Sequence, residues 1–162
     1  MSSNLNNSEI LIDNFIDVLW LEKGLSKNTL SAYRHDISSF SDWYKGVSLL
    51  EVQRVDLLDY LSQRLKDGYS SRSTARSLSS LRAFYSHITV KHNLKENPTS
   101  RVDSPKLGRS LPKTLSEDEV EKLISSPDVE DYIGLRDRAM LELLYACGLR
   151  VSELISLDLL SL

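Results

Sequence analysis

Apolar residues recur at three- and four-residue spacing along nearly the whole chain, and no segment alternates with the period of two that a half-buried strand requires. The chain is therefore expected to be mainly α-helical. Leu11, Phe15, Val18 and Leu19 share one face of a helix predicted over residues 8–23, with Gly24 as its stop. Ser26 stands as the N-cap of a second helix whose core stripe is Leu30, Tyr33, Ile37, Phe40 and Tyr44. Val55, Leu58, Leu61 and Leu65 define a third over residues 55–66, closed by Gly68. A fourth, over residues 71–92, turns Leu78, Leu81, Tyr85 and Ile88 inward. Four helices with short connections make a compact bundle.

Residues 96–113 break that rhythm. They hold three of the four prolines, with Arg101, Lys106, Arg109 and Lys113 following Lys95 just upstream. This composition suits an extended linker that tracks something negative, or an ordinary tether between domains. Helical signals resume at Ser116, which with Glu119 forms a capping box. A further helix, residues 131–147, places Met140, Leu143, Leu144 and Cys147 on one face and Leu135, Leu141, Tyr145 and Ala146 on the others. A helix apolar nearly all round belongs to the core of something larger than the residues around it can enclose. Cys147 is expected there as a buried, inert small hydrophobe.

A single cysteine among 162 residues excludes an internal disulfide and points to a reducing, cytoplasmic setting. No apolar run reaches the length of a membrane span. None of His35, His87 and His92 pairs with a cysteine or another histidine at metal-ligand spacing, so no metal site is expected. The net charge of −3 hides a pattern. Residues 1–60 carry 5 Lys/Arg against 9 Asp/Glu, residues 61–113 carry 11 against 3, and residues 114–162 carry 4 against 11. A basic middle between acidic ends is the local field that a phosphate backbone feels, although a solvated basic face would look the same.

Within that field the fourth helix carries Arg72, Arg76, Ser79, Ser80, Ala83 and His87 opposite its core stripe. The second helix has Lys27, Asn28, Ser31, Ala32 and His35 on its outer side. Small residues let a helix approach closely, and arginines one turn apart can each donate forked hydrogen bonds to phosphate. Such helices fit a DNA groove; they also fit a plain exposed surface. Arg150 is a different case. Gly148 is placed to end the long helix and Leu149 to make the contact that follows it, so Arg150 opens a new short helix. A guanidinium beside free helix N–H groups can hold an oxyanion; the alternative is a salt bridge to Glu153 three residues on.

Three blocks, in order, carry a resemblance: residues 15–37 (FIDVLWLEKGLSKNTLSAYRHDI), 104–123 (SPKLGRSLPKTLSEDEVEKL) and 135–154 (LRDRAMLELLYACGLRVSEL). They resemble the bacterial Xer tyrosine recombinases over nearly the whole chain. The resemblance implies a four-helix, SAM-like core-binding domain over residues 1–95, a basic linker over 96–113 and the helical start of a catalytic domain over 114–162. It implies strand cleavage and rejoining at a double-stranded DNA recombination site through a 3′-phosphotyrosyl link, with no metal or nucleotide cofactor. A XerC-like partner recombinase and an FtsK-type translocase would act with it in chromosome dimer resolution, the translocase through the part of the family pattern beyond residue 162. Arg150, in GLRVSEL, matches the family's first catalytic arginine, and Lys27, Asn28, Arg72, Arg76, Lys106, Arg109 and Lys113 are the candidate DNA contacts.

The family's hairpin lysine, His-x-x-Arg pair, later His or Trp and tyrosine nucleophile have no counterpart in these residues. His35, His87 and His92 are followed three positions on by Ser38, Val90 and Lys95. The expectation is an N-terminal portion of such a recombinase, truncated before its nucleophile, that binds DNA and does not cut it. Two rival readings stand beside it: a separate DNA-binding or regulatory module, and a helical protein-interaction module.

Overall fold

In the computed structural model, residues 2–45, 47–106, 108 and 114–158 are described, with side chains from residue 7 onward. Among them there are seven helices and no strand. The chain divides into two compact units, Met1–Arg109 and Ser110–Leu162.

The first unit contains α1 (Ser2–Lys23), α2 (Lys27–Tyr44), α3 (Arg54–Lys66) and α4 (Ser71–Lys91). The chain reverses between α1 and α2 through Gly24, whose φ of +58° lies in the left-handed region that costs glycine nothing. Ser26 and Ser70 then cap α2 and α4, each accepting a hydrogen bond from the backbone N–H three residues on. Leu11, Ile12, Phe15, Ile16 and Leu19 from α1 meet Ile37 and Phe40 from α2 and Leu78, Leu81, Phe84, Tyr85 and Ile88 from α4. Edge-to-face aromatic pairs run through this core, with Phe15 on Phe84 at 5.5 Å and Phe40 on Tyr60 at 5.0 Å between centroids.

The inward face of α3 differs from the expected one. Leu57, Tyr60, Leu61 and Arg64 are buried, whereas Val55, Leu58 and Leu65 are exposed. Aromatic packing decides the phase: Tyr60 reaches Phe40 and also Trp43, at 5.4 Å, which turns α3 about its axis. Arg64 follows Tyr60 inward by one turn. Its guanidinium lies 4.1 Å from the Tyr69 ring centroid and donates to the Tyr60 hydroxyl and to Ser73 Oγ, both at 3.2 Å.

The segment expected as an extended linker is anchored at its start. Pro98, Thr99 and Val102 are buried, with Val102 joining the core cluster. Arg82 of α4 holds this stretch by donating to the Val102 carbonyl and to Ser104 Oγ. Apolar area at Val102 and two side-chain hydrogen bonds thus tie residues 98–104 to the bundle.

The second unit contains α5 (Glu117–Ile124), α6 (Tyr132–Cys147) and α7 (Val151–Leu154). The capping box forms: Ser116 Oγ accepts from the Glu119 N–H, and the Glu119 carboxylate accepts from the Ser116 N–H at 2.8 Å. That hydrogen bond to the charged form holds the Glu119 carboxyl below its ordinary value. α6 ends at Gly148, in the left-handed conformation with φ +62°. A Cβ at Gly134, in the first turn of α6, would run into the Asp128 carbonyl, so glycine is what lets α6 start so close to that turn. None of the described residues of this unit is buried. Cys147, expected on a buried face, is exposed.

Candidate nucleic-acid interface and the Arg150 turn

Lys27 and Asn28 lie in the first turn of α2, where both are exposed. Ser31 and His35 continue that face as exposed residues, while Ala32 is half-buried. On α4 the proposed outer face is shorter than its sequence pattern. Arg72, Arg76 and Ser79 are exposed, but Ser80 is buried and Ala83 and His87 are half-buried. α1 covers the far end, where Phe15 lies 5.6 Å from the His87 ring between centroids, and α2 covers Ser80, which donates to Asp36. The exposed part of that proposed face is therefore the N-terminal half of α4.

His87 is a packing group. Its Nε2 is shut off from solvent without a hydrogen-bond partner. Burial lowers its pKa below 6.5, and the nearby positive charge of Lys91 lowers it further against a smaller opposing effect from Glu22. Among the described residues there is no group of three or more His, Cys, Asp or Glu side chains able to hold a metal ion.

Between the two polar faces lies a cluster that periodicity alone did not single out. Asp36 of α2 is 2% exposed. Its Oδ1 accepts from Arg76 Nη2 at 2.9 Å and its Oδ2 from Ser80 Oγ at 2.8 Å. A buried carboxylate is tolerated when its oxygens are paired in this way. The signal was present in the spacing. Tyr33, Asp36, Ile37 and Phe40 fall at i, i+3, i+4 and i+7, so Asp36 shares the core phase and needed a partner. Arg64 carries the same signature on α3, one turn beyond Tyr60.

Of the remaining candidates, Lys106 is exposed, and Arg109 and Lys113 lie outside the described residues. Burial pushes the Tyr85 phenol far above its ordinary value, and it donates to the Leu49 carbonyl as part of the core. Tyr132 and Tyr145 on α6 are strongly exposed.

Arg150 is the extended N-cap residue of α7, two residues past the left-handed Gly148. Its backbone N–H donates to Glu153 Oε2 at 2.8 Å, and its Nη1 donates to Oε1 at 2.9 Å. Of the two roles weighed from the sequence, the salt bridge to Glu153 is the one the side chain makes. The Arg150 side chain is 83% exposed, so the pair is screened and contributes at most about 1 kcal/mol. The rigid fork retains further donors that can receive an oxyanion without the backbone moving.

The sequence profile of the phage integrase N-terminal SAM-like domain matches residues 12–92, and that of the phage integrase family matches residues 113–162. Tyrosine recombinase XerD of Pseudomonas aeruginosa is 54% identical over 151 residues, which cover 92% of this chain and 51% of the relative. Tyrosine recombinase XerD of Proteus mirabilis is 46% identical over 159 residues, covering 97% and 51%. Tyrosine recombinase XerD of Haemophilus influenzae is 45% identical over 151 residues, covering 92% and 51%. The chain spans about half the length of the curated relatives it matches.

Proposed function

This chain belongs to the phage integrase family, and from that premise we propose that it serves site-specific DNA recombination of the tyrosine-recombinase kind. The first unit grips duplex DNA with the polar faces of α2 and α4. Lys27, Asn28, Arg72 and Arg76 contact phosphates and groove edges, and Lys106, Arg109 and Lys113 follow the backbone. The observation that carries this reading is the local charge pattern realised on the folded bundle. α2 and α4 pack together, and Lys27, Asn28, Arg72 and Arg76 remain exposed on them.

Arg150 is the proposed catalytic residue of the second unit. In the reaction of this family a tyrosine hydroxyl attacks the phosphorus, the 3′-phosphotyrosyl bond forms, and the 5′-hydroxyl leaves. A 5′-hydroxyl of the exchanged strand reverses the step and restores the phosphodiester. Charge builds on the non-bridging oxygens in the pentacoordinate transition state, and a forked guanidinium fixed beside them stabilises it. These 162 residues contain no His-x-x-Arg, so taken alone they bind DNA without cutting it. By the same likeness, a XerC-like recombinase shares the site, an FtsK-type translocase governs the reaction, and chromosome dimers are what it resolves.

The test is Arg150→Ala in a chain of the relatives' length, assayed for site binding and strand cleavage. Cleavage should slow by about 10²–10³-fold while binding changes little. Cleavage close to the unsubstituted rate would remove Arg150 from the active site.

A further inference from the structure

We propose that Asp36 is a positioning residue for DNA binding: by holding one arm of Arg76, it presents the guanidinium to a phosphate already oriented. This rests on the reading that α2 and α4 face DNA. Asp36 is almost wholly buried, whereas the Arg76 side chain is 57% exposed. One end of the ion pair is thus fixed in the bundle and the other stands at the surface. Ser80 Oγ occupies the second carboxylate oxygen, which leaves Asp36 one way to face Arg76. Asn28 and Ala32 lie two turns and one turn before Asp36 on the same side of α2, and Arg72 lies one turn before Arg76 on α4. The bridge therefore sits where the two polar faces meet.

An unheld arginine at the surface would lose several rotamers on gripping a phosphate. Arg76 has given up that freedom on folding, and a planar fork held at Nη2 keeps its other donors in a fixed plane. The tether also lowers the net charge at this spot. If charge alone mattered, removing Asp36 would strengthen binding; if orientation matters more, removing it weakens binding.

The experiment is a double-mutant cycle on the whole chain, using a fluorescently labelled mixed-sequence DNA duplex at several potassium chloride concentrations. Asp36→Asn should weaken binding by about 3- to 10-fold in the unsubstituted background. It should do almost nothing once Arg76→Gln is present. An equal loss in both backgrounds, or tighter binding by Asp36→Asn, would overturn the proposal. If the unsubstituted chain shows no salt-dependent binding, the DNA-facing reading fails and takes this proposal with it. Should Asp36→Asn not fold, NMR of the arginine side chains in the free, unsubstituted chain decides. The proposal requires slower guanidinium rotation at Arg76 than at Arg72, and equal rates would overturn it.

Discussion

The two units of this chain use the same kind of helix to opposite effect. In the first, Phe15, Phe40, Phe84 and Tyr85 are each at most 2% exposed, and apolar stripes from four helices close on one another. In the second, α6 is as apolar as any helix of the chain, yet Tyr132, Leu135 and Tyr145 are 81%, 57% and 65% exposed. Helical pattern states which surface seeks burial; a packing partner determines whether burial occurs. The first unit supplies its own partners, and the described part of the second does not.

The largest expected contrast comes from core truncation. Phe84→Ala should cost about 3–5 kcal/mol in denaturant unfolding, because Phe84 is fully enclosed. Leu135→Ala should stay within about 0.5 kcal/mol, as exposed substitutions do. A large loss at Leu135 would mean that α6 is covered in solution, and the contrast between the two units would vanish. Arg64 gives the next effect. Arg64→Ala should cost about 2–4 kcal/mol by removing a buried side chain whose guanidinium lies over the Tyr60 and Tyr69 rings, whereas Arg64→Met, which keeps most of that volume, should be nearly neutral. Equal losses in both would assign the stability to the guanidinium rather than to packing.

In the second unit, local geometry replaces the core as the source of order. Ser116→Ala should remove about 1 kcal/mol from α5, read as faster amide exchange in its first turn with the first unit unaffected. The smallest effect belongs to His87. Its folded pKa lies below 6.5, so the unfolded chain binds the proton more readily. Stability from this group is complete above the unfolded value and is lost as pH falls through 6.5 toward the lowered folded value. His87→Gln should flatten the dependence of Tm on pH in that window. An unchanged dependence would assign it to other groups.

Much of the bundle was legible because aromatic and aliphatic residues mark α1, α2 and α4 at helical spacing. The phase of α3 was not, since its inward residues include Tyr60 and Arg64, whose polar ends disguise a buried face. Asp36 was hidden for the same reason, although its spacing from Tyr33 and Phe40 placed it on the core side. Ser80 and His87 were assigned outward because the approach of α2 to Ser80 and of α1 to His87 are tertiary facts, absent from the periodicity of α4. Cys147 shows the reverse error, an apolar context read as burial where no covering element is described. The turn at Gly148 and the Ser116 box depend on neighbours within a few residues, and both were readable directly.

The proposed DNA binding requires that the polar faces of α2 and α4 meet phosphate. The most direct measurement is the slope of log affinity against log salt for duplex DNA, for the unsubstituted chain and for Arg72→Ala. If those faces meet phosphate, Arg72→Ala binds more weakly at every salt concentration, with a slope reduced in magnitude by about 1, the signature of one lost phosphate contact. An identical slope and affinity in the two proteins would contradict it.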